Sequence, residues 1–142
     1  MKYVDYLKDL KGCPFCDISK VRILENESAY LTYSAAPYHP DHLLVIPQRH
    51  IEHILDLTNE ETNDIDALVR RGLEILTKLG HTNISVLVKE GDKTEKSISH
   101  THYHIIPDIV LGNVDHTGID RLVLSDSDVT KLVARIKAAS VR

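Results

Sequence analysis

The sequence lacks the features that would place the chain in a membrane or on duplex nucleic acid. No apolar run approaches the roughly 18 residues of a membrane-spanning helix, and the N-terminus has no apolar signal-peptide core. The 17 Lys and Arg residues are scattered and the formal net charge is −4, so no basic stripe for duplex nucleic acid is present. We therefore predict a cytoplasmic protein, in which any small anionic ligand is bound by individual side chains and backbone groups of its site and not by a basic surface.

Cysteine is also scarce, because the only two, Cys13 and Cys16, stand in the segment GCPFC at 12–16. In a reducing compartment this spacing favours half of a metal site or a redox pair over a structural disulfide. A thioredoxin-type redox pair would follow a strand directly, whereas a charged segment precedes this motif. With no further cysteine, the other two ligands of a zinc site would have to be histidines. Two buried thiols without a metal are the alternative.

The chain is long enough, at 142 residues, to fold as one domain with its own core. We therefore predict a single domain over residues 1–142. The apolar pattern predicts a short helix at 3–10 and strands at 21–24, 29–33 and 83–88. The continuous apolar run at 43–46, which ends at Pro47, is typical of a central strand covered on both faces.

Two further helices are predicted from capping signals. Thr58 and Glu61 form a capping box for a long helix that stops at Gly80. Its apolar stripe comprises Ile65, Leu68, Val69, Leu73, Leu76 and Leu79. The segment 125–128 contains the same kind of capping signal and predicts the start of a last helix. Its predicted buried face consists of Val129, Leu132, Val133 and Ile136.

Three histidines, His100, His102 and His104, alternate through the segment 99–106 with the period of a β-strand. Alternate residues of a strand project from one face, so three imidazoles would stand in one row about 6 to 7 Å apart. Ile98 and Ile106 continue that face. We therefore predict one strand through all three histidines, with one reactive face.

Three interpretations of this row are open from the residues alone. Each histidine could be an ordinary, satisfied polar group of a strand. The row could also bind a catalytic metal, since two histidines separated by one strand residue can reach the same ion. The third interpretation is phosphoryl or nucleotidyl chemistry, in which one imidazole attacks phosphorus and its neighbours donate hydrogen bonds to the oxygens.

Three motifs occur together in one order, namely GCPFC at 12–16, HLLVIPQRH at 42–50 and HTHYHII at 100–106. With them the chain resembles the histidine triad family. The resemblance implies an α+β fold, with a mostly antiparallel sheet of about five strands, a long helix packed on it, and a homodimer. It assigns a motif-bearing core to residues 12–110 and a C-terminal extension with a helix to residues 111–142.

The resemblance also implies an activity, because members of this family are nucleotide hydrolases and nucleotidyl transferases. By this resemblance, His102 attacks the α-phosphorus of a nucleotide conjugate and carries a covalent nucleotidyl group. His104 would contact the phosphate or the leaving-group oxygen, and His42 would support His104. Ser97 would donate its hydroxyl to the phosphate, with an ordinary strand serine as the alternative.

Cysteine-containing relatives imply a structural zinc site. By this resemblance the four ligands are Cys13, Cys16, His50 and His100. Four protein ligands leave no open coordination position, so this zinc would brace the fold and take no part in the chemistry. His39, His53, His81 and His116 have no comparable motif and are expected to be surface or core histidines.

Several positions depart from the family pattern and bear on the substrate. Ser34 stands where an acidic or amide residue often holds the ribose, Lys89 stands where asparagine is common, and Asp41 replaces a common glycine. In the loop before the triad, Glu95 would repel a polyphosphate, whereas Lys96 and Lys89 would attract one. We predict that Ser34, Lys89, Lys96, Ser97, His102 and His104 bind the nucleotide.

These observations predict a nucleotidyl hydrolase or transferase that acts on nucleoside phosphoramidates, dinucleoside polyphosphates or similar conjugates. Two alternatives stay open at this point. A nucleotide-binding or partner-binding module with little catalysis is suggested by the substitutions that depart from the family pattern. A hydrolase with a catalytic metal on all three triad histidines is the other.

Overall fold

The computed structural model describes residues 1–91, 98–110 and 120–139. The chain divides into two compact units, Met1–Ile109 and Val110–Arg142. The first contains an antiparallel sheet with a long helix, which confirms the predicted α+β class. Among the described residues, no helix is long and apolar enough to span a bilayer. The single-domain organisation over residues 1–142 stays a prediction.

The sheet has five strands, and every neighbouring pair is antiparallel. The strands are β1 Leu24–Glu25, β2 Ala29–Tyr33, β3 Leu43–Pro47, β4 Ile84–Val88 and β5 Tyr103–Pro107. The helices are α1 Tyr3–Asp9, α2 Asn59–Lys78 and α3 Asp126–Ala139, with a 3₁₀ turn at Ile54–Asp56. The order across the sheet is β1-β2-β3-β5-β4, so the apolar run of β3 lies at the centre, as predicted.

The two faces of the sheet carry different partners because side chains alternate along each strand. On one face, Leu43 and Val45 of β3 belong to a buried apolar cluster with Leu68 and Leu76 of α2. On the opposite face, Leu44 and Ile46 pack with Phe15 and Tyr30. His104 of β5 lies in register between Leu44 and Leu87. His104 therefore lies on the face that α2 does not cover.

The capping box and the glycine stop predicted for α2 are both present. The Thr58 hydroxyl accepts a hydrogen bond from the Glu61 amide at 3.1 Å, and the Glu61 carboxylate accepts one from the Thr58 amide at 3.0 Å. At the other end, Gly80 adopts a φ of +96°, a left-handed conformation that favours glycine. Leu79, predicted in the buried stripe, is 61% exposed, since it caps the helix end.

The prediction of one strand through all three histidines is wrong, because β5 begins at Tyr103 and includes only His104. The register of β3 explains this end. Val45 pairs with Tyr103, so continued pairing would set Thr101 opposite Pro47, which has no N–H to donate. The Thr101 amide instead donates to the Ile51 carbonyl at 2.6 Å.

The buried face predicted for α3 is also wrong. The Ser125 hydroxyl does accept from the Asp128 amide at 3.2 Å, as the capping signal predicted. However, no residue of α3 is buried, and Val129, Val133 and Ile136 are 42%, 42% and 57% exposed. The described part of its unit contains no second helix that could cover this face.

Candidate active site and metal cluster

A cavity of about 290 Å³ lies against the sheet face opposite α2. Three histidines predicted to be catalytic, His42, His102 and His104, line it together. His42 begins the segment that becomes β3, and His104 lies on β5 beside it, so the pairing of these two strands brings the rings together. All three side chains are buried, with 2%, 7% and 9% of their surface exposed.

The hydrogen bonds of His42 and His104 define which ring nitrogen carries the proton. The Tyr38 amide donates to His42 Nδ1 at 3.2 Å, so a neutral His42 bears its hydrogen on Nε2. His42 Nε2 lies 2.9 Å from His104 Nδ1 and therefore donates to it. His104 in turn bears its hydrogen on Nε2, which makes this ring a hydrogen-bond donor for an anionic oxygen in the cavity.

His102 is set in the complementary tautomer. Its Nδ1 lies 2.8 Å from the carbonyl oxygen of His100, and because a carbonyl only accepts, Nδ1 carries the hydrogen. The lone pair of the neutral ring is therefore on Nε2. The ring is packed against Phe15, with centroids 4.9 Å apart, and against His104, with centroids 4.8 Å apart. The site thus combines a basic nitrogen with a neighbouring N–H donor.

Burial keeps the His42–His104 pair neutral. Burial, followed by repulsion from His102, lowers the pKa of His42 from the ordinary 6.5 to about 4. Burial, with added repulsion from His102, His42 and Lys89, lowers the pKa of His104 to about 3. Near pH 7 both rings are therefore uncharged, and the chain of hydrogen bonds described above is intact.

The depressed pKa values predict acid sensitivity of the fold. A histidine whose pKa is lower in the folded state than the 6.5 of the unfolded chain binds its proton more weakly when folded, so acid favours the unfolded state. The folded state therefore has its full stability above pH 6.5 and loses stability as the pH falls towards 4 and 3. Each unit of pKa difference corresponds to about 1.4 kcal/mol, so the free energy of unfolding should fall by several kcal/mol between pH 6.5 and 4. Urea denaturation across this range measures it.

A double variant, His42→Asn with His104→Asn, provides the control for this prediction. Its free energy of unfolding should depend less on pH between 6.5 and 4, because the two buried titrating rings are gone. An equally steep acid loss in the variant would show that other groups cause it.

A second cluster brings together the four predicted metal ligands Cys13, Cys16, His50 and His100, whose donor atoms all lie within 4.8 Å of one another. Cys16 Sγ lies 3.2 Å from His50 Nδ1 and 3.4 Å from His100 Nδ1, and Cys13 Sγ lies 3.4 Å from His100 Nδ1. These separations are close to the roughly 3.6 Å expected between S and N ligands of tetrahedral zinc. The four residues could hold a metal ion.

The donor chemistry of this cluster fits a thiolate-binding cation. His100 Nε2 donates to the Pro47 carbonyl at 2.7 Å, so its Nδ1, which faces both sulfurs, carries the lone pair that a metal needs. Burial and the neighbouring Cys13 thiol raise the pKa of Cys16 to about 11. A cation at this position would favour deprotonation of the thiols, as zinc does for its cysteine ligands.

The other predicted site residues divide into two groups. Ser34 and Lys89 line the histidine cavity, whereas Lys96 and Ser97 lie outside the described residues. The cavity is also lined by Tyr6 of α1 and by Lys20, which sequence reasoning did not single out. The Lys20 ammonium lies 4.7 Å from the Tyr33 ring centroid and 5.7 Å from that of Phe15. No motif surrounds Lys20, so only the fold reveals its position.

Comparison with known sequences places this constellation in context. The family model described as the HIT domain matches residues 16–109. The adenosine 5′-monophosphoramidase of Schizosaccharomyces pombe is 32% identical over 101 residues, which are 68% of this chain and 74% of that protein. The asymmetrical bis(5′-nucleosyl)-tetraphosphatase of the same species is 35% identical over 72 residues, which are 50% of this chain and 40% of that protein.

Comparison with solved structures agrees with the architecture. A member of the HIT family from Bacillus subtilis superposes with a TM-score of 0.71 at 24% identity, over 93% of this chain and 99% of that one. At this identity the likeness shows the fold alone.

Proposed function

Since this chain belongs to the HIT domain family, we propose that it is a nucleotidyl hydrolase or transferase that cleaves nucleotide conjugates at the α-phosphorus. The observation that carries the proposal is the tautomer set by His100. The carbonyl of His100 holds the Nδ1 hydrogen of His102 and leaves Nε2 as the nucleophilic nitrogen. The reaction proceeds through a nucleotidyl group covalently attached to His102.

The displacement occurs in two balanced steps. In the first, a bond forms between His102 Nε2 and the α-phosphorus while the bond from phosphorus to the leaving oxygen or nitrogen breaks with its electron pair; a phosphate leaves as an anion, and an amine leaves neutral after its nitrogen takes a proton from solvent. His102 becomes a cationic nucleotidyl-imidazolium, and the Nδ1–H bond to the His100 carbonyl at 2.8 Å stabilises that charge. In the second, the oxygen of water or of another acceptor forms a bond to phosphorus while the bond from phosphorus to His102 Nε2 breaks with its electron pair, the proton of the attacking oxygen passes to solvent, and the neutral ring is restored.

His104 and His42 stabilise the charge that develops on the phosphoryl group. His104 is a neutral donor near pH 7 because its pKa is lowered to about 3, so it donates a hydrogen bond and does not deliver a proton at the outset. An anionic substrate in the cavity would raise this pKa, since it favours the charged ring. His42 holds the His104 tautomer from behind through the 2.9 Å hydrogen bond.

The remaining contacts determine how the nucleotide is held. Ser34 and Lys89, which line the cavity, bind the ribose and the phosphate chain respectively. Lys96 and Ser97 complete phosphate binding in this proposal. Nucleoside phosphoramidates and dinucleoside polyphosphates are the substrate classes that the named relatives suggest.

The cysteine–histidine cluster binds zinc in this proposal. Cys13, Cys16, His50 and His100 would hold the ion, and its four-ligand set gives it a structural role. His100 belongs to this cluster and also presents the carbonyl that orients His102. The cluster therefore anchors the backbone from which the nucleophile is positioned. A homodimer and a cytoplasmic location stay predictions of the family resemblance and of the sequence.

Capture of the intermediate tests the proposed function directly. Wild-type protein and His102→Ala are each mixed with adenylyl and guanylyl phosphoramidates and dinucleoside polyphosphates, then quenched without acid, because a phosphorus–imidazole bond is acid-labile. Intact-protein mass spectrometry should detect a transient nucleotidyl adduct on wild type alone. The mass of the adduct identifies the accepted base, and peptide mapping should place it on His102.

Two outcomes would contradict this assignment. Nucleotide binding without any adduct or product across the panel would favour the alternative of a binding module with little catalysis. An adduct of equal yield on His102→Ala would exclude His102 as the nucleophile.

A further inference from the structure

A second set of charged groups, outside the triad and the cysteine cluster, joins the ends of three elements. His81 Nε2 lies 2.7 Å from Asp41 Oδ2, and His81 Nδ1 lies 2.9 Å from Asp108 Oδ2. We name these three side chains the His81 clasp. A carboxylate accepts hydrogen bonds, so two such contacts require a hydrogen on both ring nitrogens. The clasp is therefore formed by the imidazolium, the protonated form of His81.

The backbone of His81 is held independently of its side chain. Its amide donates to the Leu76 carbonyl at 3.1 Å, and the Gly80 amide donates to the Thr77 carbonyl at 3.0 Å. This pair of bonds forms a Schellman motif at the end of α2. The His81 ring is mostly enclosed, with 14% of the side chain exposed. It therefore extends from a rigid helix end towards two loops.

Both carboxylates lie beside elements that carry the active pair. Asp41 directly precedes His42, and the His42 amide donates to the His39 carbonyl at 2.9 Å. Asp108 directly follows β5, the strand that carries His104. The clasp thus links the segment entering His42 to the strand bearing His104, the two rings that share the 2.9 Å hydrogen bond.

Asp108 has a left-handed backbone conformation that favours glycine, and the contact of its side chain explains why aspartate stands there. It has a φ of +59°, the one positive φ at a non-glycine residue among the described residues. Glycine would occupy this conformation at lower energy, and strain of this kind persists where surrounding contacts over-determine it. Here the carboxylate bonded to His81 is the contact that glycine would lack.

We propose that protonated His81 is a positioning residue for the catalytic pair, which keeps His42 and His104 in hydrogen-bond register by holding Asp41 and Asp108. This inference rests on the proposed function of the triad. Hydrogen bonding to Asp41, with added attraction to Asp108, raises the pKa of His81 above the ordinary 6.5. The clasp is therefore complete below pH 6.5 and opens as the pH rises through the raised value.

The same cluster also offers metal-binding atoms, since His39, His81 and Asp108 present donors within 4.8 Å of one another. The hydrogen bonds of His81 and His39 favour a proton over a metal ion at this position. Both nitrogens of His81 already face carboxylates. The Asp41 amide donates to His39 Nδ1 at 3.0 Å, so the hydrogen of neutral His39 is on Nε2, the atom 3.7 Å from Asp108. His39 packs edge-on against His81, with ring centroids 5.1 Å apart, and completes the titratable surroundings.

The first test compares the pH dependence of kcat and KM between variants. His81→Gln removes the cation, and His81→Lys keeps a cation to higher pH. His53→Gln is the matched control, because His53 also contacts a carboxylate, that of Glu90 at 3.0 Å, and is not part of the clasp. Between pH 6.5 and 9.5 the kcat of wild type should fall by roughly tenfold, on the scale of a small misplacement of catalytic groups, with KM nearly unchanged.

The three variants should differ in kcat at pH 6.5 and in the pH at which kcat falls. His81→Gln should have a kcat about tenfold low at pH 6.5 and a flat alkaline profile, whereas in His81→Lys the alkaline fall should move up by at least about one pH unit. His53→Gln should follow wild type. Lys20 also lines the cavity, and burial lowers its pKa, so deprotonation of Lys20 offers a second explanation for an alkaline fall in kcat. The fall is therefore assigned to His81 only if it is lost in His81→Gln.

The second test needs no turnover and so separates this inference from the proposed function. NMR titration of the resting protein, with ¹⁵N-labelled histidine, follows the rings of His81, His42 and His104. The His42 and His104 signals should shift with the His81 titration in wild type and not in Asp108→Asn. Signals of the pair that ignore the His81 titration, or a His81→Gln profile equal to wild type, would overturn the proposal. Stoichiometric binding of added Zn²⁺ at His81 beyond the cysteine cluster would also overturn it.

Discussion

Replacement of His102 by alanine is expected to lower kcat on an accepted nucleotide conjugate by about 10⁴-fold or more, the scale of losing a covalent nucleophile. The ring contributes the Nε2 lone pair, and no other described side chain is set in that tautomer by the His100 carbonyl. Steady-state turnover at pH 7 measures the effect. The metal content and the circular dichroism spectrum should match wild type, because His102 is not among the four residues of the cysteine cluster.

His53→Ala is the control for this substitution. It also removes an imidazole, but His53 contacts Glu90 outside the cavity, and its turnover should stay within about twofold of wild type. Turnover of His102→Ala within tenfold of wild type, in a preparation free of contaminating hydrolase, would refute a covalent mechanism at this residue.

Loss of the cysteine cluster is expected to cause the largest change in stability. Protein purified without added metal should contain about one zinc per chain, and the double variant Cys13→Ser with Cys16→Ser should contain none. The cluster links 13–16 to His50 and to the segment carrying His100 and His102, so its loss removes a cross-link between distant parts of the chain. We expect the free energy of unfolding to fall by several kcal/mol and Tm by about 10 °C or more.

A chelator titration provides the matched comparison. Chelation should lower Tm of wild type towards that of the double variant and leave the variant unchanged. If wild type contains no metal as purified, the zinc assignment fails. Full turnover by folded, metal-free wild type would exclude a catalytic metal on the triad and leave the structural role as the only one for the ion.

The elements that could be predicted from the sequence are those specified by local signals. The Thr58–Glu61 capping box and Gly80 determine the two ends of α2, and the unbroken apolar run before Pro47 indicated the central strand. The start of β5 could not be predicted in the same way. It depends on pairing with Val45 and on the absence of an N–H at Pro47, both of which are distant in sequence from the histidines.

The candidate site was predictable to the same extent. His102, His104 and the cysteine pair lie in the compact motifs by which the chain resembles the histidine triad family, and that resemblance supplied their predicted roles. His81 lay in no motif and was expected to be an ordinary surface or core histidine. Its two carboxylate partners come from loops 40 residues before it and 27 residues after it, so only tertiary structure brings them together.

The two-faced sheet also bears on how such an enzyme could change its substrate range. Leu43 and Val45 point to α2, whereas Leu44 and His104 point to the cavity. A substitution of Leu44 changes the cavity and its packing with Phe15 and Tyr30, and leaves the separate cluster beneath α2 unchanged. Directed evolution of substrate range should therefore randomise Leu44 and keep Leu43, Val45 and the fully buried Ile46, which do not line the cavity.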